Sequence, residues 1–402
     1  MRRVFVRGCG AVTPLGATWI ESREALAAGK TAVRPVERFD VQGYPSSVAA
    51  VIDDAWLGEE SREDRRLGLA RIAAREAWKS AAIEAKPGRI GVFLGAESGR
   101  ATFATITALA RRAGGGARFD HALFGEQARD LALAVHAKTV SPAAVSTALA
   151  AEFGAEGPVE TISLACASGA AAIVEATRAI RLGLCDVALA GGVGADVDPF
   201  MLVGFGLLGA LSTRGVSCPF DVRRDGFVVG EGAAMVVLSS ERGDALSEVR
   251  GAARSLDAVH LTAPDPKGEG AFRSMQGALQ DAGLASVGYV QAHGTSTPLN
   301  DAVEALALRR LFGDRLDDML VGATKGALGH WIAGAGAIGF LCGLEAVERG
   351  RCLPTAGLLE PDPACALPHV LGRVMQKSVE AALVNAFAFG GANASLVVAR
   401  CE

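Results

Sequence analysis

Short apolar runs alternate with amphipathic or small-residue runs along almost the whole chain. Runs such as RVFVRGCGAV, RIGVFLGAES and DVALAGGVGAD are rich in Val, Leu and Gly and predict buried strands. Between the strands lie segments such as ESREALAAG and GAAAIVEATRAIRLG, which predict helices. After a change near SSERGDALSEV the alternation resumes and continues to the last residues. The pattern therefore predicts an α/β fold with strands buried between helices.

Two segments about 160 residues apart share one design. In each, a strand leads into a loop and then into a helix of small residues: ETISLACAS before GAAAIVEATRAI, and MLVGATKGAL before AGAGAIG. A helix that is small and apolar on every side must be buried. The pair indicates an internal duplication, with halves at 1–242 and 243–402 and a site between them. Two unrelated strand–helix units with a high Ala content are the alternative.

Composition excludes several classes of function. The chain has 402 residues, of which 50% are hydrophobic and 21% charged, and a net charge of −4. This length can bury a large core. The interspersed charges form neither a nucleic-acid stripe nor a polybasic membrane patch. The start, MRRVFVRGCGAVTPLG, does not fit a signal peptide, and the apolar windows contain His or Glu, so we expect a cytoplasmic protein without a membrane span.

The cysteines are scattered and predict neither a disulfide framework nor a zinc site. No Cys-x-x-Cys pair occurs among the eight, which are Cys9, Cys166, Cys185, Cys218, Cys342, Cys352, Cys365 and Cys401. Cys166 differs because it stands between a strand and an Ala-rich helix. A thiol at a helix N-terminus is expected to have a lowered pKa. Local sequence leaves two possibilities open for Cys166, a nucleophile or a small buried residue at a turn.

Two histidine loops bear on that choice. His293 in QAHGTSTPLND and His330 in TKGALGHWIAG each follow a strand and precede a helix. Sites in α/β folds form at this edge of the sheet. Either His alone is more often a structural hydrogen-bonding residue, but a Cys and two His at matching strand–loop–helix positions predict catalysis.

The segment NAFAFGGANAS adds a fourth element. Gly390 and Gly391 follow Phe389 and permit backbone conformations that expose N–H groups. Such groups could donate to an oxyanion. A tight turn between the last two strands is the alternative.

With these elements in order, the sequence resembles the elongating 3-oxoacyl-ACP (β-ketoacyl-ACP) synthases of the thiolase-like superfamily. The resemblance rests on ACASGA, RRDGFVVGEGAAMVVL, AHGTSTPLND, TKGALGH and NAFAFGGANASL and covers nearly the whole chain. It implies a thiolase-like fold, in which two duplicated α/β halves form a five-layer αβαβα sandwich. It also implies a decarboxylative Claisen condensation of an acyl group with malonyl-ACP. The products would be 3-oxoacyl-ACP and CO2, in fatty-acid or polyketide (including polyene) biosynthesis.

The resemblance assigns a role to each candidate catalytic residue. Cys166 would carry the acyl group as a thioester, while His293 and His330 would stabilise the enolate formed from malonyl-ACP. Lys325 would orient and charge-balance His330. The backbone N–H groups of Cys166 and Phe389 would form the oxyanion hole, and Phe389 would also gate the acyl pocket.

Binding residues and partners follow from the same resemblance. Thr295 and Thr297 match the residues that bind the pantetheine arm. The implied partner is an acidic acyl carrier protein, acyl- or malonyl-loaded, docked by basic residues of SREDRRLGLAR, namely Arg62, Arg65 and Arg66. An ordinary solvated helix is the alternative for that segment. The resemblance implies no cofactor and no metal. It implies a homodimer, or a heterodimer with a related ketosynthase or chain-length-factor subunit.

Three departures from the family pattern concern the site. Gly339 stands nine residues after His330, where many relatives carry Glu, so the Lys325–His330 network lacks one carboxylate. Ala388 replaces the first Gly of Phe-Gly-Phe-Gly-Gly, and its Cβ is expected to restrict the gate. Residues 100–140, which line the acyl pocket and dimer interface in the family, match poorly and leave the acyl chain length open.

Two other functions are compatible with the fold. The first is a chain-length-factor-like partner subunit, but such subunits usually lack the nucleophilic Cys that this chain keeps. The second is a thiolase or a thiolase-fold acyl hydrolase or transferase. Thiolases use another Cys in the C-terminal half, and NAFAFGG has none. A condensing enzyme is therefore the main prediction.

Overall fold

The computed structural model describes residues 2–59, 64–114, 118–135 and 137–402. The strands in these ranges are β1 (Phe5–Val12), β2 (Val33–Pro35), β3 (Val48–Ala50), β4 (Ile90–Gly95), β5 (Val159–Ile162), β6 (Val187–Ala195), β7 (Glu231–Ser239), β8 (Ser247–Leu256), β9 (Tyr289–Gln291), β10 (Leu320–Gly322), β11 (Arg351–Cys352), β12 (Met375–Gln376), β13 (Ala381–Phe387) and β14 (Ala392–Arg400). The helices are α1 (Trp19–Ala27), α2 (Arg65–Ala81), α3 (Phe103–Arg112), α4 (His121–Val135), α5 (Ala137–Val140), α6 (Ala143–Glu152), α7 (Ser168–Arg181), α8 (Pro199–Leu207), α9 (Glu269–Ala282), α10 (Pro298–Phe312), α11 (Lys325–Leu328) and α12 (Ala335–Arg349).

The main sheet is built from two matching halves. Its ten strands run in the order β10-β9-β13-β14-β8-β1-β7-β6-β4-β5. In the half formed by β5, β4, β6, β7 and β1, the first three strands are parallel and the next two antiparallel. The half formed by β10, β9, β13, β14 and β8 repeats these directions. The repeat confirms the internal duplication. The boundary between 1–242 and 243–402 falls in the connection from β7 to β8 and stays a prediction.

Helices α7 and α12 form the central layer. α7 contacts β4 and β6 of one half and β8 and β14 of the other, and α12 likewise contacts strands of both halves. Helices α2 and α6 pack on the outer face of the N-terminal half, and α9 and α10 on that of the C-terminal half. The layers therefore follow the order α, β, α, β, α, as the resemblance implied.

The central helices approach each other so closely that only small residues fit between them. A Cβ added to Gly336 would lie 2.7 Å from the Cβ of Ala170. One added to Gly169 would lie 2.9 Å from the carbonyl oxygen of Ala333. Such separations are too short for real side chains, because protein interiors are already close-packed. The Ala/Gly pattern of the two helices is thus explained by their mutual packing.

The functional loops leave the sheet at the carboxyl ends of its parallel strands. Cys166 follows β5 in a short 3-10 turn, Ala165–Ala167, and a matching turn, Ile332–Gly334, precedes α12. Ala165 and Ile332 both adopt left-handed backbone angles, with φ of 46° and 47°. This conformation is uncommon for residues with a Cβ. Its repetition at equivalent positions shows that the turn holding Cys166 belongs to the duplicated design.

Two features are absent from the described part of the chain. No helix there is long and apolar enough to cross a membrane. No group of three or more His, Cys, Asp or Glu side chains there could hold a metal ion.

Candidate active site

Six of the residues singled out in the sequence line one cavity. Its volume is about 320 Å³, and its walls include Cys166, His293, Thr295, Thr297, His330 and Phe389. Cys166 comes from the N-terminal half, and the other five come from loops of the C-terminal half. The duplication therefore brings together residues that are far apart along the chain.

Cys166 is a buried thiol with 6% of its surface exposed. Burial raises its pKa to about 12, although the charge of Lys325 and the backbone N–H groups of Phe389 and of Cys166 itself act in the opposite direction. The lowered pKa expected for a thiol at a helix N-terminus is therefore wrong, because desolvation outweighs the groups that favour the thiolate. Both N–H groups favour negative charge near the sulfur, and donors of this kind are what an oxyanion hole requires.

His293 and His330 share one protonation pattern. Nδ1 of His330 accepts a hydrogen bond from the N–H of Ile332 at 3.2 Å, and Nδ1 of His293 lies 3.3 Å from Nζ of Lys325. Burial and the charge of Lys325 hold the pKa of both rings well below the usual range. A neutral imidazole whose Nδ1 accepts carries its proton on Nε2. With ring centroids 5.7 Å apart, the pair can offer two Nε2–H donors to one substrate oxygen.

Lys325 contacts His293, whereas the sequence predicted that it acts on His330. In addition to facing Nδ1, its ammonium group donates a hydrogen bond to the carbonyl oxygen of His293. Lys325 acts on His330 through its charge, which lowers the pKa of that ring. The hydrogen bonds of Lys325 go to His293, and orientation of His330 by Lys325 stays a prediction. The physical reason for the contact with His293 is strand pairing: β10 lies parallel to β9, so the start of α11 faces the loop that carries His293.

Glu304 fixes the loop that carries His293. This role was not predicted from the sequence. The Glu304 carboxylate accepts hydrogen bonds from the N–H groups of His293 and Gly294 at 2.8 and 2.9 Å, and from the Asn385 amide at 3.1 Å. Glu304 is fully buried, and burial raises its pKa. One signal could have identified Glu304 as a site residue: it is a carboxylate on the buried face of a helix, and buried Glu is rare unless it is paired.

Asp301, three residues earlier on α10, fixes the next part of the same loop. It accepts hydrogen bonds from the N–H groups of Thr295 at 2.9 Å and Ser296 at 3.1 Å. Thr297 caps the N-terminus of α10, and its hydroxyl lies 2.9 Å from that of Thr295. Both threonine hydroxyls are thereby positioned at the cavity wall, where they can bind a polar substrate arm.

The turn that contains Phe389 depends on glycine. Gly390 and Gly391 have φ of 83° and 78°, a region that side chains disfavour. The N–H of Gly390 donates to the carbonyl oxygen of Leu261 at 2.7 Å, which ties the turn to a second loop. Ala388 has φ of −134° and ψ of 155°, an extended conformation open to any residue. The Cβ of Ala388 therefore adds no backbone strain to this conformation.

The site contains carboxylates although residue 339 is a glycine. A Cβ at this position would meet only Val384 and Gln291, at 3.5 and 3.7 Å. The negative charges near Lys325 come from α10 instead, because Glu304 and Asp301 both raise the pKa of Lys325 against the lowering effect of its burial. The carboxylates that act on Lys325 thus belong to α10.

Arg65 and Arg66 are internal residues. Arg65 donates two hydrogen bonds to the buried carboxylate of Glu231, from Nε at 2.8 Å and from Nη2 at 2.7 Å. Arg66 is 8% exposed and donates to Asp64 and to the carbonyl oxygens of Glu97 and Thr139. Their hydrogen-bonding groups are used inside the fold, and the docking of a carrier protein by these two residues stays a prediction. Arg62 lies outside the described residues.

Family comparisons agree with the geometry. The family described as "Beta-ketoacyl synthase, N-terminal domain" matches residues 1–243, and "Beta-ketoacyl synthase, C-terminal domain" matches residues 246–358. The chain is similar to "3-oxoacyl-[acyl-carrier-protein] synthase 2" of Coxiella burnetii, with 32% identity over 99% of each chain. It is also similar to the tetracenomycin polyketide synthase ketoacyl synthase alpha subunit of Streptomyces glaucescens, with 35% identity over 99% of this chain and 97% of that one.

Solved structures show the same likeness in three dimensions. The ishigamide ketosynthase/chain length factor has a TM-score of 0.86 and 30% identity, with full coverage of both chains. A type II PKS acyl-carrier protein in complex with its ketosynthase has a TM-score of 0.82 and 27% identity, again with full coverage.

Proposed function

The chain belongs to the beta-ketoacyl synthase family, and we propose that it condenses an acyl group held on Cys166 with malonyl-ACP. The products are 3-oxoacyl-ACP and CO2. One observation carries the proposal: Cys166, the Phe389 turn and two histidines, whose pKa burial holds well below the usual range, line one cavity. These groups match the two charges that develop in such a reaction, first on a thioester oxygen and then on an enolate oxygen.

In the first half-reaction, the sulfur of Cys166 forms a bond to the carbonyl carbon of the acyl thioester. The N–H groups of Cys166 and Phe389 hold the oxyanion that results. The bond to the carrier sulfur then breaks, and the proton lost by Cys166 ends on the released carrier thiol. Because burial raises the pKa of Cys166, the proton leaves as attack proceeds, and stabilisation of the oxyanion matters more than a preformed thiolate.

In the second half-reaction, the bond between the malonyl carboxylate and the α-carbon breaks and releases CO2. The electron pair passes to the thioester oxygen as an enolate, which the Nε2–H groups of His293 and His330 stabilise. The α-carbon then bonds to the acyl carbon on Cys166, and the Cys166 sulfur leaves and takes up one proton. Neutral rings suit this step, because they donate hydrogen bonds without titrating at neutral pH.

The proposal includes two partners. An acyl carrier protein delivers both substrates, and a second subunit of ketosynthase or chain-length-factor type completes the assembly. The support is the likeness to a ketosynthase complexed with its acyl-carrier protein and to a ketosynthase/chain length factor. A cytoplasmic location stays a prediction from the sequence.

Intact-mass spectrometry tests the proposal. The protein is incubated with acyl-ACP, then with malonyl-ACP, and the masses of the protein and the carrier are followed. We expect an acyl adduct on Cys166, then 3-oxoacyl-ACP; Cys166→Ala abolishes the adduct, and Cys9→Ala serves as the matched cysteine control. Condensation by Cys166→Ala would overturn the assignment. Free acid as the product would indicate a hydrolase. If 3-oxoacyl-ACP forms only with a partner subunit present and Cys166 itself stays unacylated, the chain-length-factor alternative is indicated.

A further inference from the structure

Ser296 stands between Thr295 and Thr297 in the chain but does not line the cavity that these two threonines line. Its side chain is fully buried. We propose that Ser296 is a positioning residue, which fixes the two threonines relative to His330 through a segment of the N-terminal half. The inference rests on the proposed function, because it concerns how the malonyl arm is held while its enolate forms.

The backbone of Ser296 has a conformation that is uncommon for a residue with a side chain. Its φ is 67°, in the left-handed region. Such a conformation persists only where the surrounding contacts hold it. In this conformation the N–H groups of Thr295 and Ser296 both donate to the carboxylate of Asp301, at 2.9 and 3.1 Å. The loop is therefore fixed from α10 on one side.

On the other side, two hydrogen bonds join Ser296 to residues 218–230, which we name the connecting segment. The side-chain Oγ accepts from the N–H of Cys218 at 2.9 Å, and the carbonyl oxygen accepts from the N–H of Gly226 at 3.0 Å. All three residues are buried. A buried N–H that loses its acceptor costs free energy, so these bonds hold the loop and the connecting segment together.

The connecting segment also holds His330. The N–H of His330 donates to the carbonyl oxygen of Val228 at 2.8 Å, and its carbonyl oxygen accepts from the N–H of Gly230 at 3.0 Å. The segment is thus bonded to Ser296 at Gly226 and to His330 two residues later. Because a chain spans at most about 3.6 Å per residue, the two attachment points lie within about 7 Å of each other.

This geometry links the grip on the substrate arm to one donor of the enolate site. In the proposed reaction, Thr295 and Thr297 hold the arm of malonyl-ACP, and His330 donates to the thioester oxygen at its end. A displacement of about 1 Å between such groups can lower a rate about 100-fold. An enolate that is out of line with the acyl carbon takes up a proton from water instead, and the products are then CO2 and acetyl-ACP.

Ser296→Ala tests the inference, because it removes the acceptor of the Cys218 N–H. Cys166 is loaded from butyryl-ACP, or from another acyl-ACP that acylates the wild type, and malonyl-ACP is then added. Mass spectrometry gives the share of acetyl-ACP among the products. We expect this share and KM for malonyl-ACP each to rise about three- to tenfold, the effect of one hydrogen bond. Loss of folded protein alone would lower both products equally and leave the share unchanged.

Two further variants keep the test decisive if Ser296→Ala folds poorly. Ser296→Gly removes the same hydroxyl but adopts the left-handed conformation without a Cβ, so it relieves the backbone strain. We expect it to show the same shift towards acetyl-ACP. Ser22→Ala is the matched control, since Ser22 is a fully buried, hydrogen-bonded serine on α1, and it keeps the wild-type share.

The wild type separates the two levels of the proposal. If it forms no 3-oxoacyl-ACP, the proposed function fails. If it condenses, and Ser296→Ala and Ser296→Gly both keep the wild-type share of acetyl-ACP and the wild-type KM, the positioning role of Ser296 alone is overturned.

Discussion

Nζ of Lys325 lies 3.3 Å from Nδ1 of His293, and the same ammonium group donates to the His293 carbonyl oxygen. Lys325 thus sets the tautomer of His293, while the N–H of Ile332 does the same for His330. One cation also lowers the pKa of both rings and favours the thiolate of Cys166. In the proposed reaction, Lys325 therefore acts on both acylation and decarboxylation.

Lys325→Met is expected to slow both half-reactions. Loss of the cation removes a group that lowers the pKa of Cys166, so alkylation of Cys166 by iodoacetamide at pH 8 becomes slower. Loss of the Nδ1 contact frees the ring of His293, and condensation falls by about tenfold or more. Peptide mass spectrometry reports the alkylation rate, and exposed Lys30→Met is the control. Unchanged Cys166 reactivity in Lys325→Met would contradict the electrostatic role.

His293→Ala and His330→Ala are expected to separate the two half-reactions. Each variant loses an enolate donor, so CO2 release from malonyl-ACP falls by about 100-fold or more. Acylation of Cys166 continues, because its oxyanion is held by backbone N–H groups. His121→Ala, at an exposed position on α4, is the matched control. Equal loss of acylation and CO2 release in both variants would argue against separate oxyanion sites.

Arg66→Met is expected to act on stability and not on carrier docking. Its loss leaves the carbonyl oxygens of Glu97 and Thr139 without this donor, at a cost of about 2–4 kcal/mol in the free energy of unfolding. Urea denaturation measures that change, and KM for malonyl-ACP is measured on the folded variant. Exposed Arg178→Met is the control. A raised KM with unchanged stability would support the docking role instead.

Two glycines on α12 are expected to respond in opposite ways to alanine. Gly339→Ala places a Cβ in ordinary contact, at 3.5 Å from Val384, and raises the free energy of unfolding by about 0.5–1 kcal/mol. Gly336→Ala places a Cβ 2.7 Å from that of Ala170 and lowers stability by about 1–3 kcal/mol. Denaturant titration of both variants is the measurement. Equal effects would mean that the close approach of α7 and α12 is not as described.

Asp196 is expected to make stability depend on pH. Burial raises its folded-state pKa to about 6 from 3.8, despite the opposing effect of Arg100. A raised pKa means that the folded state binds the proton more tightly. Protonated Asp196 therefore stabilises the folded state fully below pH 3.8, and this stabilisation is lost as the pH rises through about 6.

Asp196→Asn lacks this titration. The variant therefore gains stability relative to the wild type between pH 4 and 7, by up to about 3 kcal/mol. Denaturation at several pH values measures the difference. A difference that is constant over this range would rule out burial of the ionised carboxylate.

Most of the fold and the central residues of the site were predictable. Small residues in two helices indicated a duplicated, buried layer, because only Gly and Ala allow α7 and α12 to meet. Cys166, His293 and His330 were predictable because each sits in a local strand–loop–helix unit whose residues are consecutive in the chain. Catalytic loops of this kind carry their signal within about ten residues.

Contacts between distant segments were not predictable in the same way. Lys325 lies close to His330 in the chain, yet it meets His293, because parallel pairing of β9 and β10 decides which loops are neighbours. Arg65 and Arg66 look like surface charges beside other charges in the sequence, yet Arg65 binds buried Glu231, far away on β7.

The raised pKa of Cys166 has the same origin. Desolvation depends on everything packed around a group, and a single sequence motif contains only part of it. Local order along the chain was thus sufficient to predict the kind of chemistry. The partners, charges and protonation states of the groups that perform it depend on distances that only the folded chain establishes.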